Sequence, residues 1–178
     1  SKISGGVDMR NGMNYPQLIS KYTMGAVLYH QACDNYLDEK MTASNKPNDK
    51  PYKKGAYYTG KEHSWDEAFG YWGAAAHTMT LSAQQSYDVA KKKDLKAADF
   101  NKDGVVDLYK EMTYGHAYYA SAFDRGGKTD YLKTVTKAFI DGRKIITNAN
   151  GEKLSSSDLT KVQDLAQVIC SNWAQVIA

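Results

Sequence analysis

Four side chains with oxygen atoms fall within residues 99–107 at the spacing that a calcium loop requires. The side chains expected to bind the ion are those of Asp99, Asn101, Asp103 and Asp107. They occupy loop positions 1, 3, 5 and 9, and Gly104 at position 6 permits the sharp turn. The carbonyl group of Val105 would supply a further oxygen, and the Val106 side chain would pack inward. The sequence therefore predicts a calcium site in this segment.

The acidic residue that closes an EF-hand loop at position 12 is displaced by one residue in this chain. Lys110 occupies position 12, and the acid follows as Glu111. We expect either that the following helix is shifted so that Glu111 closes the site, or that the last ligand comes from elsewhere. The alternative interpretation is a hydrated turn without a metal, because Asp, Asn and Gly favour turns for local reasons.

A second group of chemically active side chains lies within residues 62–73. On a helix, Asp66 and Glu67 lie three and four residues after His63, and the three side chains would share one face. An imidazole and two carboxylates at this spacing can bind iron, zinc or manganese, or can act as an acid/base pair. These three residues are therefore candidates for a second metal site.

The same segment also has a purely structural interpretation. Ser64 with Glu67 has the form of a capping box, and Asp66 suits the first turn of a helix. The aromatic residues of the segment are most simply core residues; they are Trp65, Phe69 and Trp72. Capping and packing would then explain the composition without any ligand.

Apolar residues at intervals of three and four predict that helices position both groups. The expected helices run from Tyr15 to about Met41, from near Ser64, from Ser82 to Ala98, from Leu108 to Phe123, from Thr129 or Asp130 to Ile146, and from Ser157 onward. A polar connector over residues 42–60 is either functional or held by its tyrosines. The predicted fold class is all-α: one helical-bundle domain, residues 1–178, with an EF-hand-like calcium-binding helix-loop-helix.

Composition and charge argue against some classes of partner. The chain has 23 basic and 20 acidic residues and a formal net charge of +3, so we expect no nucleic-acid partner. No apolar stretch has the length of a membrane-spanning segment. The chain begins at Ser1 without methionine and stops within an amphipathic pattern, and we expect it to be part of a longer precursor.

The two cysteines, Cys33 and Cys170, lie near opposite ends of the chain. In an oxidising compartment they would pair and connect the first helix to the last. Two buried free thiols are an equally good interpretation, because both cysteines fall on or beside apolar helix stripes. The predicted calcium loop favours an extracytoplasmic setting, where calcium is abundant.

Motifs of the common enzyme classes are missing from the sequence. It contains no Gly-Xaa-Ser-Xaa-Gly nucleophile elbow, no P-loop, no dinucleotide fingerprint and no His-Glu-Xaa-Xaa-His motif. The sequence therefore indicates no reaction, and a role other than catalysis is favoured.

The segment from Glu62 to Gly73 resembles a family of uncharacterised bacterial cell-envelope proteins. Their signature is Glu-His, then Trp-Asp-Glu-Ala-Phe-Gly-Tyr, then an aromatic residue and a glycine. The matching residues are His63, Trp65, Asp66, Glu67, Ala68, Phe69, Gly70, Tyr71 and Gly73. The resemblance implies a helical, secreted or lipoprotein-type protein of the bacterial envelope, longer than this chain and without an assigned activity.

A more distant resemblance is to imelysin-like helical proteins linked to iron uptake, which carry a Gly-Xaa-His-Xaa-Xaa-Glu motif. Gly60, His63 and Asp66 depart from that motif in spacing and in the type of acid.

Two functional hypotheses follow. The first is an extracytoplasmic calcium-binding helical domain with a structural, binding or self-association role, whose partner is another protein or a second copy. The alternative is an imelysin-like iron or zinc handling protein, or a metalloenzyme, that uses His63, Asp66 and Glu67.

Overall fold

The computed structural model describes the backbone of residues 3–4 and all atoms of residues 6–178. Its α-helices are α1 (Tyr15–Met24), α2 (Gly60–Trp72), α3 (Ala83–Ala90), α4 (Leu95–Ala98), α5 (Gly115–Asp124), α6 (Tyr131–Asn148) and α7 (Ser156–Ile177). The short strands β1 (Ile3–Ser4) and β2 (Val7–Asp8) pair antiparallel ahead of α1. The chain is mostly helical, which confirms the predicted all-α class.

The first predicted helix is present but changes its hydrogen bonding along its length. Asn14 caps α1 by accepting the N–H of Gln17 at 3.1 Å. Beyond α1 the chain continues through the π-helical segments Gly25–Tyr29 and Gln31–Tyr36, and ends in the 3-10 turn Glu39–Met41. Helical structure therefore covers most of the span predicted from Tyr15 to about Met41.

Three tryptophans form the centre of the main hydrophobic core, which α2, α5, α6, α7 and the π-helical segments enclose. Trp65, Trp72 and Trp173 are each at most 1% exposed. The rings of Trp72 and Trp173 meet edge to face with centroids 5.0 Å apart. The Trp65 indole N–H donates to the carbonyl oxygen of Phe139 at 2.8 Å, so α2 is joined to α6 by both packing and a hydrogen bond.

A disulfide bond joins the N-terminal helical segment to the C-terminal helix. Cys33, in the segment Gln31–Tyr36, is bonded to Cys170 of α7, with Cα atoms 5.8 Å apart. The two residues are separated by 137 positions in the sequence. Of the two interpretations that the sequence left open, pairing is therefore the one observed.

A second, smaller hydrophobic cluster supports the segment predicted to bind calcium. Its buried members are Leu81, Val89, Ala98 and Met112. Val106 packs against this cluster from within the loop, as the sequence predicted. The loop is consequently anchored at its middle to a core that is separate from the tryptophan core.

The helix predicted from Ser82 to Ala98 is interrupted, so this prediction is wrong in part. α3 ends at Ala90 and α4 begins at Leu95. Lys92, between them, has a φ of 57°, a conformation that ends a helix. Asp94 then caps α4 by accepting the N–H of Ala97 at 2.9 Å.

The residues at which the last two helices were expected to start do not cap them. Ser155, and not Ser157, caps α7 by accepting the N–H of Asp158 at 3.0 Å. The start of α6 is capped from the end of α5, because the Asp124 carboxylate accepts the N–H groups of Tyr131 at 3.0 Å and Leu132 at 2.8 Å. A buried carboxylate from the preceding helix thus caps α6, and the Asp130 side chain does not.

Candidate functional site

Residues 99–107 form a turn that its own side chains hold in place. The Asp99 carboxylate accepts the N–H groups of Asp103 at 3.2 Å and Gly104 at 3.0 Å. The Asn101 side-chain oxygen accepts the same Asp103 N–H at 3.1 Å, and the Asp103 carboxylate accepts the Val105 N–H at 2.8 Å. Gly104 has a φ of 83°, which glycine adopts without strain. Side-chain oxygens at loop positions 1, 3 and 5 are therefore directed into one tight turn.

Glu111 closes this loop at its base. Its side chain is buried, and one carboxylate oxygen accepts the N–H groups of Phe100 at 3.0 Å and Asn101 at 3.4 Å. The other oxygen accepts the N–H of Asp107 at 2.8 Å. Glu111 therefore joins the two ends of the loop through backbone amides, and its predicted role as a calcium ligand remains a prediction.

Asp107, at loop position 9, lies near the exit of the loop. Its carboxylate accepts the N–H of Tyr109 at 2.8 Å and lies 3.5 Å from the Lys110 ammonium group. The Tyr109 N–H, together with Lys110, holds the pKa of Asp107 below its usual value. This carboxylate is therefore ionised near neutral pH, and the Lys110 ammonium group already lies beside it.

The helix predicted to follow the loop from Leu108 is absent from that position, so the expected helix-loop-helix is wrong in its second half. The Lys110 carbonyl accepts the N–H of Ala76, and the Tyr114 N–H donates to the carbonyl of Gly73, each at 2.7 Å. These bonds to the chain beyond α2 replace helical bonds. α5 consequently begins only at Gly115, and the helix before the loop, α4, spans Leu95–Ala98 alone.

Metal coordination is not preformed in either predicted site. Within residues 6–178, no three His, Cys, Asp or Glu side chains converge closely enough to hold a metal ion. Calcium binding to the loop therefore requires the carboxylates of Asp99, Asp103 and Asp107 to close on the ion.

Helix α2 carries the second predicted group, and it begins four residues earlier than predicted. Thr59 caps it, accepting the Glu62 N–H at 3.1 Å, while the Glu62 carboxylate accepts the Thr59 N–H at 2.8 Å. The capping box predicted at Ser64 is wrong, because Ser64 is buried inside the helix and donates to the Gly60 carbonyl at 3.0 Å. His63 consequently lies within the helix.

The earlier start brings the three predicted residues to one cavity. His63 and Glu67 are one turn apart, with Nε2 and Oε1 separated by 3.8 Å. An open cavity of about 470 Å³ lies over this face of α2. Its lining residues are Tyr58, His63, Asp66, Glu67, Gly70 and Tyr71. The sequence thus predicted three of the residues around this cavity.

Arg143 of α6 is the partner that the sequence did not indicate. Its guanidinium donates to the Asp66 carboxylate at 2.8 Å and to the Glu62 carboxylate at 2.7 Å. Packing around the Asp66 carboxyl group raises its pKa although 55% of the side chain is exposed, and Arg143 opposes this shift. Burial also opposes ionisation of Glu62, but the Thr59 N–H and Arg143 together lower its pKa. The Arg143 guanidinium, which stays charged at all relevant pH values, is thus already paired with Asp66 and Glu62.

The polar connector supplies the aromatic wall of the cavity. The Tyr52 N–H donates to the Tyr58 carbonyl at 2.9 Å, and Pro51 bridges to Thr59, so this part of the connector folds back on itself. The Tyr52 ring stacks on the His63 ring with centroids 3.6 Å apart, and Tyr58 lies parallel to both. The tyrosines therefore hold the connector, and they do so beside the cavity.

A buried lysine fixes the other end of the connector. Lys61 is 2% exposed, and its ammonium group donates to the carbonyls of Lys40, Thr42 and Asn45 within 2.9 Å. Burial lowers the pKa of Lys61 to about 8, whereas the three carbonyls favour its charged form. The cavity wall is thus held by interactions at both ends of the connector.

Comparison with known proteins places the chain in a family. The family model described as a domain of unknown function, DUF4856, matches residues 7–178. The chain belongs to the DUF4856 family. No curated protein and no solved structure matches it significantly. The resemblance to an uncharacterised family is thereby confirmed, while its envelope signature, bacterial origin and imelysin relation remain expectations from the sequence.

The other histidines of this DUF4856 chain lie apart from the cavity. His77 stacks on Phe100 beside the calcium-type loop, with centroids 5.0 Å apart. His116 is buried against Trp173 in the main core, at a centroid distance of 5.7 Å. His30 is exposed and pairs with Asp34 one turn along its helix. They add no ligand to the candidate site at His63.

Across the described residues, none of the helices combines the length and the apolar character needed to cross a membrane.

Proposed function

We propose that this DUF4856 chain is an extracytoplasmic helical domain that binds calcium through residues 99–111 and associates with a protein partner or a second copy. The observation that carries the calcium proposal is the turn in which Asp99, Asn101 and Asp103 direct their oxygens inward. Ca²⁺ takes about 6–8 oxygen ligands in flexible geometry. The Val105 carbonyl, Asp107 and water would supply the others.

Electrostatics support a divalent cation at this loop. The carboxylates of Asp99, Asp103 and Asp107 are crowded into nine residues, and like charges at such separations repel one another. The buried Glu111 adds a further carboxylate at the base of the loop. A bound calcium ion would offset this repulsion. Glu111 would then either hold the two ends of the loop together through their backbone amides or bind the ion directly.

The disulfide bond supports the extracytoplasmic part of the proposal. Disulfides form and persist in oxidising compartments and are rare in reducing ones. The Cys33–Cys170 bond lies across the main core, so it would contribute to the stability of the whole fold. The resemblance to envelope proteins points to the same setting.

Exposed apolar side chains support association with a partner or a second copy. Helix α1 has no buried residue. Its side chains Leu18, Ile19 and Tyr22 are 50%, 66% and 79% exposed. A contiguous exposed apolar surface of this kind is typical of an interaction site.

The alternative function, iron or zinc handling at His63, Asp66 and Glu67, has weaker support. The three residues line one cavity, but Arg143 already pairs with Asp66. A guanidinium within hydrogen-bond distance repels a metal dication from the same carboxylate. We therefore favour calcium at residues 99–111 over a transition metal at this cavity.

Thermal unfolding with and without calcium tests the proposal. Calcium in excess should raise the unfolding temperature of the oxidised protein, because an ion that binds only the folded state stabilises it. Asp103→Asn should abolish most of that rise. Asp164→Asn, an exposed change on α7, is the matched control and should retain it. An unchanged unfolding temperature in the unsubstituted protein would contradict the proposal.

A further inference from the structure

We propose that the cavity over α2 binds an organic cation, namely a primary or quaternary ammonium group. The inference is independent of calcium binding, because it concerns the face of α2 formed by His63, Glu67 and Gly70 and the tyrosines beside it. It rests on four features of the cavity: its carboxylates, its aromatic walls, its open floor and its size.

The Glu67 carboxylate gives the cavity an attraction for positive charge. Its side chain is 43% exposed, and one carboxylate oxygen lies 3.8 Å from Nε2 of His63. Asp66 also lines the cavity, but its charge is already offset by Arg143. A ligand that presents N–H donors or a positive charge would complement Glu67.

Aromatic rings form the walls, and the same cluster already attracts ammonium groups within the chain. Tyr58 and Tyr71 line the cavity. Next to them, the Lys40 ammonium group lies 3.9 Å from the Tyr36 ring centroid, and the Lys46 ammonium group lies 5.4 Å from the Tyr52 centroid. Ring faces attract cations within about 6 Å of the centroid. Rings together with carboxylates are the combination that recognises organic ammonium groups.

Gly70 leaves the floor of the cavity open at a cost to the helix. It lies on the exposed face of α2, one turn beyond Asp66 and Glu67, and a Cβ atom built there would have no neighbour within 4 Å. Glycine inside a helix is less stable than alanine by about 1 kcal/mol. Packing within the chain does not require a glycine here, and the missing side chain leaves room for a ligand to approach the helix backbone.

The size of the cavity suits an organic group better than a metal ion. About 470 Å³ of open space lies between the walls, which is within the usual range for small-molecule sites. In addition, no three His, Cys, Asp or Glu side chains of the described chain converge on a metal-sized point. A cation whose charge is spread over several atoms can contact the rings and the acids together.

Titration of the oxidised protein with choline, followed by NMR chemical shifts and calorimetry, tests the inference. We expect saturable binding of choline, and binding about tenfold or more weaker for its neutral isostere, in which carbon replaces the quaternary nitrogen. Glu67→Gln should weaken choline binding by a similar factor. Glu152→Gln, the same change at an exposed site outside the cavity, should not.

Gly70→Ala separates a binding role from a structural one. The added methyl group should raise the unfolding temperature, because alanine favours the helix, and yet weaken choline binding. Equal binding of choline and its neutral isostere, or unchanged binding in Glu67→Gln, would overturn the inference. Preferential binding of a neutral sugar, or displacement of choline by zinc at lower concentration, would overturn it as well.

Discussion

At the scale of single residues, His116 is an ionisable group enclosed by the tryptophan core. It is 4% exposed, and its ring lies against Trp173. Burial, with a smaller contribution from the charge of Lys21, lowers the pKa of His116 to about 4. In the unfolded chain the pKa of a histidine is near 6.5. The folded protein therefore holds a neutral imidazole at pH values where the unfolded chain would be protonated.

This difference predicts a loss of stability in acid. As the pH falls from about 6.5 to about 4, the unfolded state binds a proton that the folded state does not, so the free energy of unfolding decreases. The equilibrium constant for unfolding rises by up to about tenfold for each pH unit in this window. Above that window the contribution is constant. Denaturant unfolding at several pH values should show a shallower decrease for His116→Gln. His30→Gln, which changes an exposed histidine, should follow the unsubstituted protein; identical slopes for both variants would contradict the prediction.

At the scale of elements, the contact between α2 and α6 depends on a glycine. A Cβ atom at Gly142 would lie 2.1 Å from the Trp65 ring, well inside van der Waals contact. Gly142→Ala should therefore lower the free energy of unfolding by about 1–3 kcal/mol, the usual cost of overpacking a core. Gly70→Ala on α2 should change stability in the opposite direction. Denaturant titration measures both, and a neutral or stabilising Gly142→Ala would show that the two helices can separate at no cost.

The elements also show where sequence reasoning succeeds and where it fails. The periodic stripes of α6 and α7 predicted these helices well, because local periodicity and burial agree: Val162, Ile169 and Trp173 are all buried. The helix expected from Leu108 failed because its backbone groups bond to residues 73–76, far away in sequence. Such long-range backbone bonds leave no local pattern.

The cavity over α2 illustrates the same limit. The sequence predicted that His63, Asp66 and Glu67 lie together, because their spacing places them on one face of a helix. It did not indicate Arg143, which lies 77 residues after Asp66 in the sequence. It also did not indicate that the tyrosines of the connector fold back beside the cavity. Gly70 was the local sequence feature that could have pointed to the cavity, because an exposed glycine inside a helix lowers the stability of that helix.

At the scale of the whole molecule, the disulfide bond connects segments that lie 137 positions apart. Cross-linking distant segments reduces the entropy of the unfolded chain, and loss of such a bond typically costs about 2–5 kcal/mol. The Cys33→Ser, Cys170→Ser double variant should unfold at lower denaturant concentration by a corresponding amount. Reduction of the unsubstituted protein should have the same effect, and equal midpoints in all three samples would exclude a stabilising role for the bond.

The disulfide bond and the predicted calcium loop lie in different parts of the molecule. The bond joins elements of the tryptophan core, whereas the loop rests on the smaller cluster of Leu81, Val89, Ala98 and Met112. Calcium and oxidation should therefore contribute separately to stability.

Calcium content tests the central claim most directly. The natively purified, oxidised protein should contain about one calcium ion per chain by elemental analysis, and Asp99→Asn combined with Asp103→Asn should remove it. Calcium absent from the unsubstituted protein, with none taken up on titration, would contradict the claim.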